Sequence, residues 1–114
     1  MDYNVSGNNL TFANKTNVDF EYPILKVLEV YHFLIVVLDI PDTKYYNNNV
    51  FAFNTTGDFL WHIEDVELYE KGRYCAYIDI IINKEHEVVL FNWCDTAVVI
   101  NPQDGEVLRR YPTK

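Results

Sequence analysis

Serine occurs once in this chain, at Ser6, and the 114 residues include only four glycines, four prolines, three histidines and two cysteines. Each scarcity closes a route to chemistry. A Ser-His-Asp site would have to be built on Ser6, close to the terminus. His32, His62 and His86 stand singly, with no H-x-x-x-H or H-E-x-x-H spacing to hold a metal. Cys75 and Cys94 lack the C-x-x-C spacing of a zinc or redox motif. Gly7, Gly57, Gly72 and Gly105 are isolated, so no glycine-rich loop is available to cradle a phosphate. Long apolar runs are missing as well: the stretch 34–38 is far too short to cross a bilayer. No metal or other cofactor is expected, and the chain reads as a non-enzyme.

What is present describes a folded domain. Hydrophobic residues make up 49% and aromatics 16% of the chain, enough for one core at this length. The chain begins at Met1 with an acidic, Asn-rich stretch that carries no signal-peptide pattern, so a soluble cytoplasmic protein without membrane contact is expected. In that compartment Cys75 and Cys94 are expected as reduced, half-buried thiols, a disulfide being the less favoured alternative. N-x-[ST] sequons begin at Asn4, Asn9, Asn14 and Asn54, and they read as a product of Asn-rich composition rather than as glycosylation sites. A net charge of −8 repels nucleic acid and favours encounter with a basic protein.

The local pattern is all-β. No segment carries convincing helical periodicity, whereas β-branched and aromatic runs alternate with Asn, Asp, Gly and Pro clusters. Strands are predicted in pairs at 25–31 with 34–40, 50–54 with 59–63, 74–82 with 87–93, and 97–101 with 107–111. The stretch "VFAFNTTGDFLWHI" returns as "AVVINPQDGEVLRR", with Leu60 and Leu108 in corresponding places 48 positions apart. The turn of the second copy is one residue longer, since Asn54 and Gly57 are three steps apart and Asn101 and Gly105 four. The pattern predicts a single domain, 1–114, of two four-stranded antiparallel meander sheets, spanning 24–64 and 73–112. The first three strands of each are nearly continuous apolar runs, expected to be covered on both faces. The fourth carries His62 and Glu64, or Arg109 and Arg110, which marks a water-facing edge. Residues 9–13 are expected as a possible ninth strand and 14–22 as a loop.

Those two stretches resemble the outer half of a quinoprotein-type propeller blade: an apolar strand, a turn with Gly-Asp or Gly-Glu, then Leu and often Trp. Trp61 matches the final aromatic and Arg109 does not. Two blades cannot close a ring, so the resemblance implies a half-propeller. That form is found among small bacterial immunity proteins, including those of contact-dependent growth inhibition systems. The resemblance implies an antitoxin that binds and neutralises a basic toxin domain, typically a nuclease. Cofactor and metal residues of quinoprotein enzymes do not carry over, because their sites need the closed ring.

Antiparallel alternation sorts the loops into two ends. One end receives tight hairpin turns near His32, 55–58, 83–86 and 102–105. The other receives "DIPDTKYYNNN", "EDVELYEKGR" and "NWCDT", which mix carboxylates with Tyr and Trp. Aromatics anchor an interface and carboxylates steer a basic partner. The expected partner-binding residues are therefore Asp39, Asp42, Tyr45, Tyr46, Glu64, Asp65, Glu67, Tyr69, Glu70, Trp93 and Asp95. Two other roles compete with this one. Exposed sheet edges could pair copies of the chain into a structural subunit, although a monomer or weak dimer is expected. Asp79, which interrupts "YIDIII", could serve a carboxylate-based hydrolase, but it reads better as a solvated residue lining an open central side.

Overall fold

The computed structural model describes residues 3–66 and 74–113, and every regular element among them is a β-strand. Three antiparallel sheets follow one another along the chain. The first contains β1 (Tyr3–Ser6), β2 (Asn9–Phe12) and β3 (Asn17–Asp19). The second is the meander β4 (Ile24–Val30), β5 (Phe33–Leu38), β6 (Val50–Asn54) and β7 (Phe59–His62). The third repeats it as β8 (Tyr77–Ile82), β9 (Val88–Asn92), β10 (Thr96–Ile100) and β11 (Val107–Pro112). The sheets are not closed into a barrel, and the two four-stranded meanders stand as predicted, in a propeller-like arrangement.

The unbroken apolar runs have a plain cause, because successive side chains of a strand point to opposite faces. Leu34, Val36 and Leu38 of β5 join Leu10, Phe12 and Phe20 in a core between the first and second sheets. The alternate residues Ile35 and Val37 join Tyr77, Ile80, Leu90 and Ile100 in a core between the second and third. Both faces of the middle sheet are thus occupied, so β5 and β6 cannot show polar alternation. In β9 and β10, Val88, Leu90, Val98 and Ile100 face that second core, while Val89, Ala97 and Val99 form a third cluster on the far face.

Asparagine organises the turns. Asn54 Oδ1 accepts the backbone N–H groups of Thr56 (3.0 Å) and Asp58 (2.9 Å), and Asn83 Oδ1 those of Glu85 (3.0 Å) and Glu87 (2.8 Å). Asn92 does the same for Cys94 and Thr96. A short side-chain amide that mimics a backbone turn explains this Asn usage better than chance composition does. The turns after Phe12, Asn54 and Asn83 share one form, closed by an N–H of the first residue on the carbonyl four positions on. Their fourth residue has positive φ: Lys15 at 74°, Gly57 at 88° and His86 at 63°. The Asn101 turn is one residue longer and places Gly105 at φ 75°.

Glycine at two of these turns also admits a neighbouring sheet. A Cβ on Gly105 would stand 2.5 Å from Trp61 Cε3, and one on Gly57 would stand 2.6 Å from Thr16 Cγ2 and 2.9 Å from Phe12 Cδ2. Trp61 Nε1–H donates to the Pro102 carbonyl at 2.8 Å. The first and second sheets thus each dock on the glycine turn of the next, and the edge aromatic of the second sheet fastens it to the third.

Four expectations are corrected. The expected N-terminal strand at 9–13 is present as β2, but 14–22 is not all loop, because β3 lies within it and β1, β2 and β3 form a sheet of their own. The innermost strands β4 and β8 are not covered on both faces: Leu25 is 44% and Ile78 37% exposed, since each stands at the open central side. Asp79 lies there as well, with Oδ1 accepting from Lys26 Nζ on β4 at 2.9 Å. The cysteines are not reduced thiols. Cys75 and Cys94 are bonded in a disulfide with Cα atoms 5.2 Å apart. Residues 74–76, expected as strand, run irregularly into β8, and the Trp93 N–H donates to the Ala76 carbonyl at 3.2 Å. That bond brings the two cysteine backbones within reach.

Candidate functional site: an aromatic cleft rimmed by carboxylates

The segments leaving β5, β7 and β9 meet at one end of the molecule, as strand alternation requires. Asn47, Asn48 and Asn49 fasten them together. Asn47 Oδ1 accepts from Cys75 N–H at 2.9 Å. Asn48 Nδ2 donates to the Ile63 carbonyl (3.1 Å) and to Asp65 Oδ1 (2.9 Å), and its carbonyl meets His62 Nε2. Asn49 is fully buried and exchanges bonds with the backbone of Tyr77 in both directions, each at 2.8 Å, while also donating to the Leu38 carbonyl. A buried amide must satisfy all its groups, and Asn49 does so by bridging two sheets.

This frame supports a cleft. A cavity of about 290 Å³ is lined by Ile40, Pro41, Asp42 and Lys44 on one side and by Tyr74, Ala76 and Trp93 on the other. A second, of about 220 Å³, adjoins it and shares Ile40, Asp42, Ala76 and Trp93, adding Leu25, Asp39, Tyr77 and Ile78. Trp93 stands between them and is 63% exposed, so it does not cap the core. The disulfide joins the buried cysteines that are sequence neighbours of Tyr74, Ala76 and Trp93. Asp39 and Asp42 are exposed and enter no ion pair among the described residues.

The other expected binding residues divide. Tyr45 is exposed on the same linker but does not line the cleft. Tyr46 turns away to pack edge-on against Tyr22, with ring centroids 5.7 Å apart. Burial first, then Glu21 and Tyr22 nearby, raises its hydroxyl above the usual tyrosine range. Glu64 Oε1 accepts the Val107 N–H at 3.1 Å, so it closes the start of β11. Asp65 is held by Asn48, and Asp95 is half-buried in a turn at φ 53°, its carbonyl accepting from Thr113 N–H. Glu67, Tyr69 and Glu70 lie outside the described residues. The cleft keeps Asp39, Asp42 and Trp93 from the expected set and adds Ile40, Pro41, Lys44, Tyr74 and Ala76. The asparagine frame was missed outright, although three consecutive asparagines between apolar strands were the signal for it.

Little here suits acid–base chemistry. The hydrogen bond from Lys26, chiefly, holds the Asp79 carboxyl below its usual range, so at neutral pH it is an ion-paired carboxylate and not a proton donor. Tyr77 is pushed strongly upward by burial and then by Asp65 and Glu64, which keeps its hydroxyl protonated. Among the described residues no three His, Cys, Asp or Glu side chains converge in metal-binding geometry.

Fold and site together define a class: an open, propeller-like protein of stacked β-meanders that presents an aromatic cleft at one end. The model of a family described only as a domain of unknown function, DUF7957, matches residues 1–111, and the chain belongs to that family. No curated protein and no solved structure gives a significant match.

Proposed function

We propose that this chain is a protein-binding module that holds a basic partner at its cleft end, acting as an immunity protein toward a toxin domain, with a nuclease the fitting class. One observation carries the reading: Trp93, 63% exposed, stands in a cleft whose rim bears the exposed carboxylates of Asp39 and Asp42. Tryptophan is enriched among the residues that anchor interfaces, and a net charge of −8 draws in a basic surface. Neutralisation follows from covering the toxin's active site or from blocking substrate beside it.

The test is kinetic and cellular. Association with a cognate basic toxin domain should slow markedly as salt rises, because exposed charges are screened beyond roughly 10 Å at 0.1 M. Asp39→Asn with Asp42→Asn should lower the on-rate, and co-expression of the unaltered chain should restore growth of cells making the toxin. A cognate toxin that kills regardless of the chain would overturn the immunity role.

A second reading, self-assembly, has its own observation. Phe59 is 59% and Leu60 37% exposed on the edge strand β7. Sedimentation that depends on concentration, and is abolished by Leu60→Lys, would favour it.

A further inference from the structure

We infer that the Trp93 cleft is a subsite for one arginine side chain of the partner. The inference rests on the protein-binding reading above and adds the chemistry of what enters. Size comes first. The two adjoining cavities, about 290 and 220 Å³, meet at Trp93, so each is a lobe at the small end of the range for ligand sites and has room for a single side chain.

The walls then select among side chains. Trp93 offers an indole face, and Ile40 and Ala76 give an apolar floor along which a methylene stem can lie. A purely apolar occupant would bring its surroundings down on Asp39 and Asp42, stripping two carboxylates of water without replacing it. An acidic occupant would meet those carboxylates and the negative charge of the whole chain. A cation satisfies both features, because the indole face attracts positive charge and the carboxylates accept its N–H groups. Arginine fits better than lysine. Its planar guanidinium is weakly hydrated, stacks on an aromatic face and offers a fork of donors that can reach two carboxylates at once. Lys44, on the wall of the larger cavity, adds a discriminating element. It opposes a second cation there and directs the charged head toward the Asp39 side.

The two tryptophans make this measurable, because Trp61 is 6% exposed with its Nε1–H bound to Pro102, and so serves as an internal control for Trp93. The probe is the peptide acetyl-Gly-Gly-Arg-Gly-Gly-amide, with citrulline and lysine versions, titrated into the full chain while the two indole N–H signals are followed by NMR. The Trp93 signal should move saturably with the arginine peptide, about fivefold more weakly with lysine, and not with citrulline, while Trp61 stays still. Asp39→Asn with Asp42→Asn should weaken the arginine response about fivefold or more, with the Trp61 signal unchanged as proof of fold. Equal responses to arginine and citrulline, or a Trp93 signal unmoved at peptide concentrations on the order of 50 mM, would overturn the assignment. If the peptides are silent while a basic toxin domain still binds through Trp93, the arginine assignment falls and the protein-binding reading stands. If the arginine peptide binds and no toxin domain does, the subsite stands and the immunity role falls.

Discussion

Trp61 and Trp93 are the only tryptophans in the chain, and they occupy opposite surroundings. Trp61 is packed on the Gly105 turn and hydrogen-bonded, so its surroundings are structural. Gly105→Ala should lower stability by about 3 kcal/mol, because a methyl group would need φ 75° and 2.5 Å of approach to the indole at the same time. Urea denaturation measures this, and an unchanged midpoint would contradict the docking geometry. Trp93→Ala should act the other way round. With the side chain 63% exposed, stability should change by less than about 0.5 kcal/mol, whereas partner binding should weaken by about 2 kcal/mol, mostly through faster dissociation. Thermal melting and a dissociation rate on the same variant separate the two effects. A large drop in melting temperature with unaltered binding would place Trp93 with the core.

Individual elements differed in how clearly the sequence foretold them. The inner strands β5, β6, β9 and β10 were legible because both of their faces meet apolar neighbours, which leaves an uninterrupted hydrophobic run. In the first sheet only β2 was, because β1 is exposed throughout and β3 is three residues of which two are exposed. Such strands carry no period-2 signal of burial. In the cleft, Trp93, Asp39 and Asp42 were recoverable from strand alternation and composition. The facing wall was not, since residues 74–76 look like strand and are held instead by Asn47, the Trp93 N–H and a disulfide. That bond closes a separation of 19 residues, so reducing it should cost about 3 kcal/mol through freedom returned to the unfolded chain. The check is a denaturation midpoint measured with and without a phosphine reductant, with Cys75→Ala/Cys94→Ala as the reference. A midpoint indifferent to reductant in the unaltered chain would mean that the bond does not form in solution.

At the scale of the whole molecule, charge sets the response to pH. Asp79 and Glu87 have carboxyls held below their usual ranges, Asp79 by Lys26 first and Glu87 by Asn83 and then Arg109. A depressed folded-state pKa contributes stability above the unfolded value, near 4, and loses it as pH falls through the folded value. Over the same descent from pH 7 the net charge of −8 shrinks, which relieves self-repulsion. Melting temperature should therefore hold or rise slightly from pH 7 to about 5, then fall below about pH 4. Asp79→Asn should flatten part of the acid limb by no more than about 1 kcal/mol, because the pair's side chains are 41% and 47% exposed. A steep loss of stability between pH 7 and 5 would show a different group in control.

The junction of Trp61 with Gly105 is directional, a plug on one sheet and a socket on the next. Units joined in this way have no inherent number, and an unguarded plug or socket at either end would let chains add head to tail into fibres. Lys15 occupies the left-handed turn position that is glycine in the two turns serving as sockets, and Arg109 stands where the plug would be, drawn to Glu87 and lying over Tyr111. A chain in which Lys15 became Gly and Arg109 became Trp would carry a socket and a plug of the same form as those that join its second and third sheets, and it should sediment as concentration-dependent multimers where the unaltered chain does not.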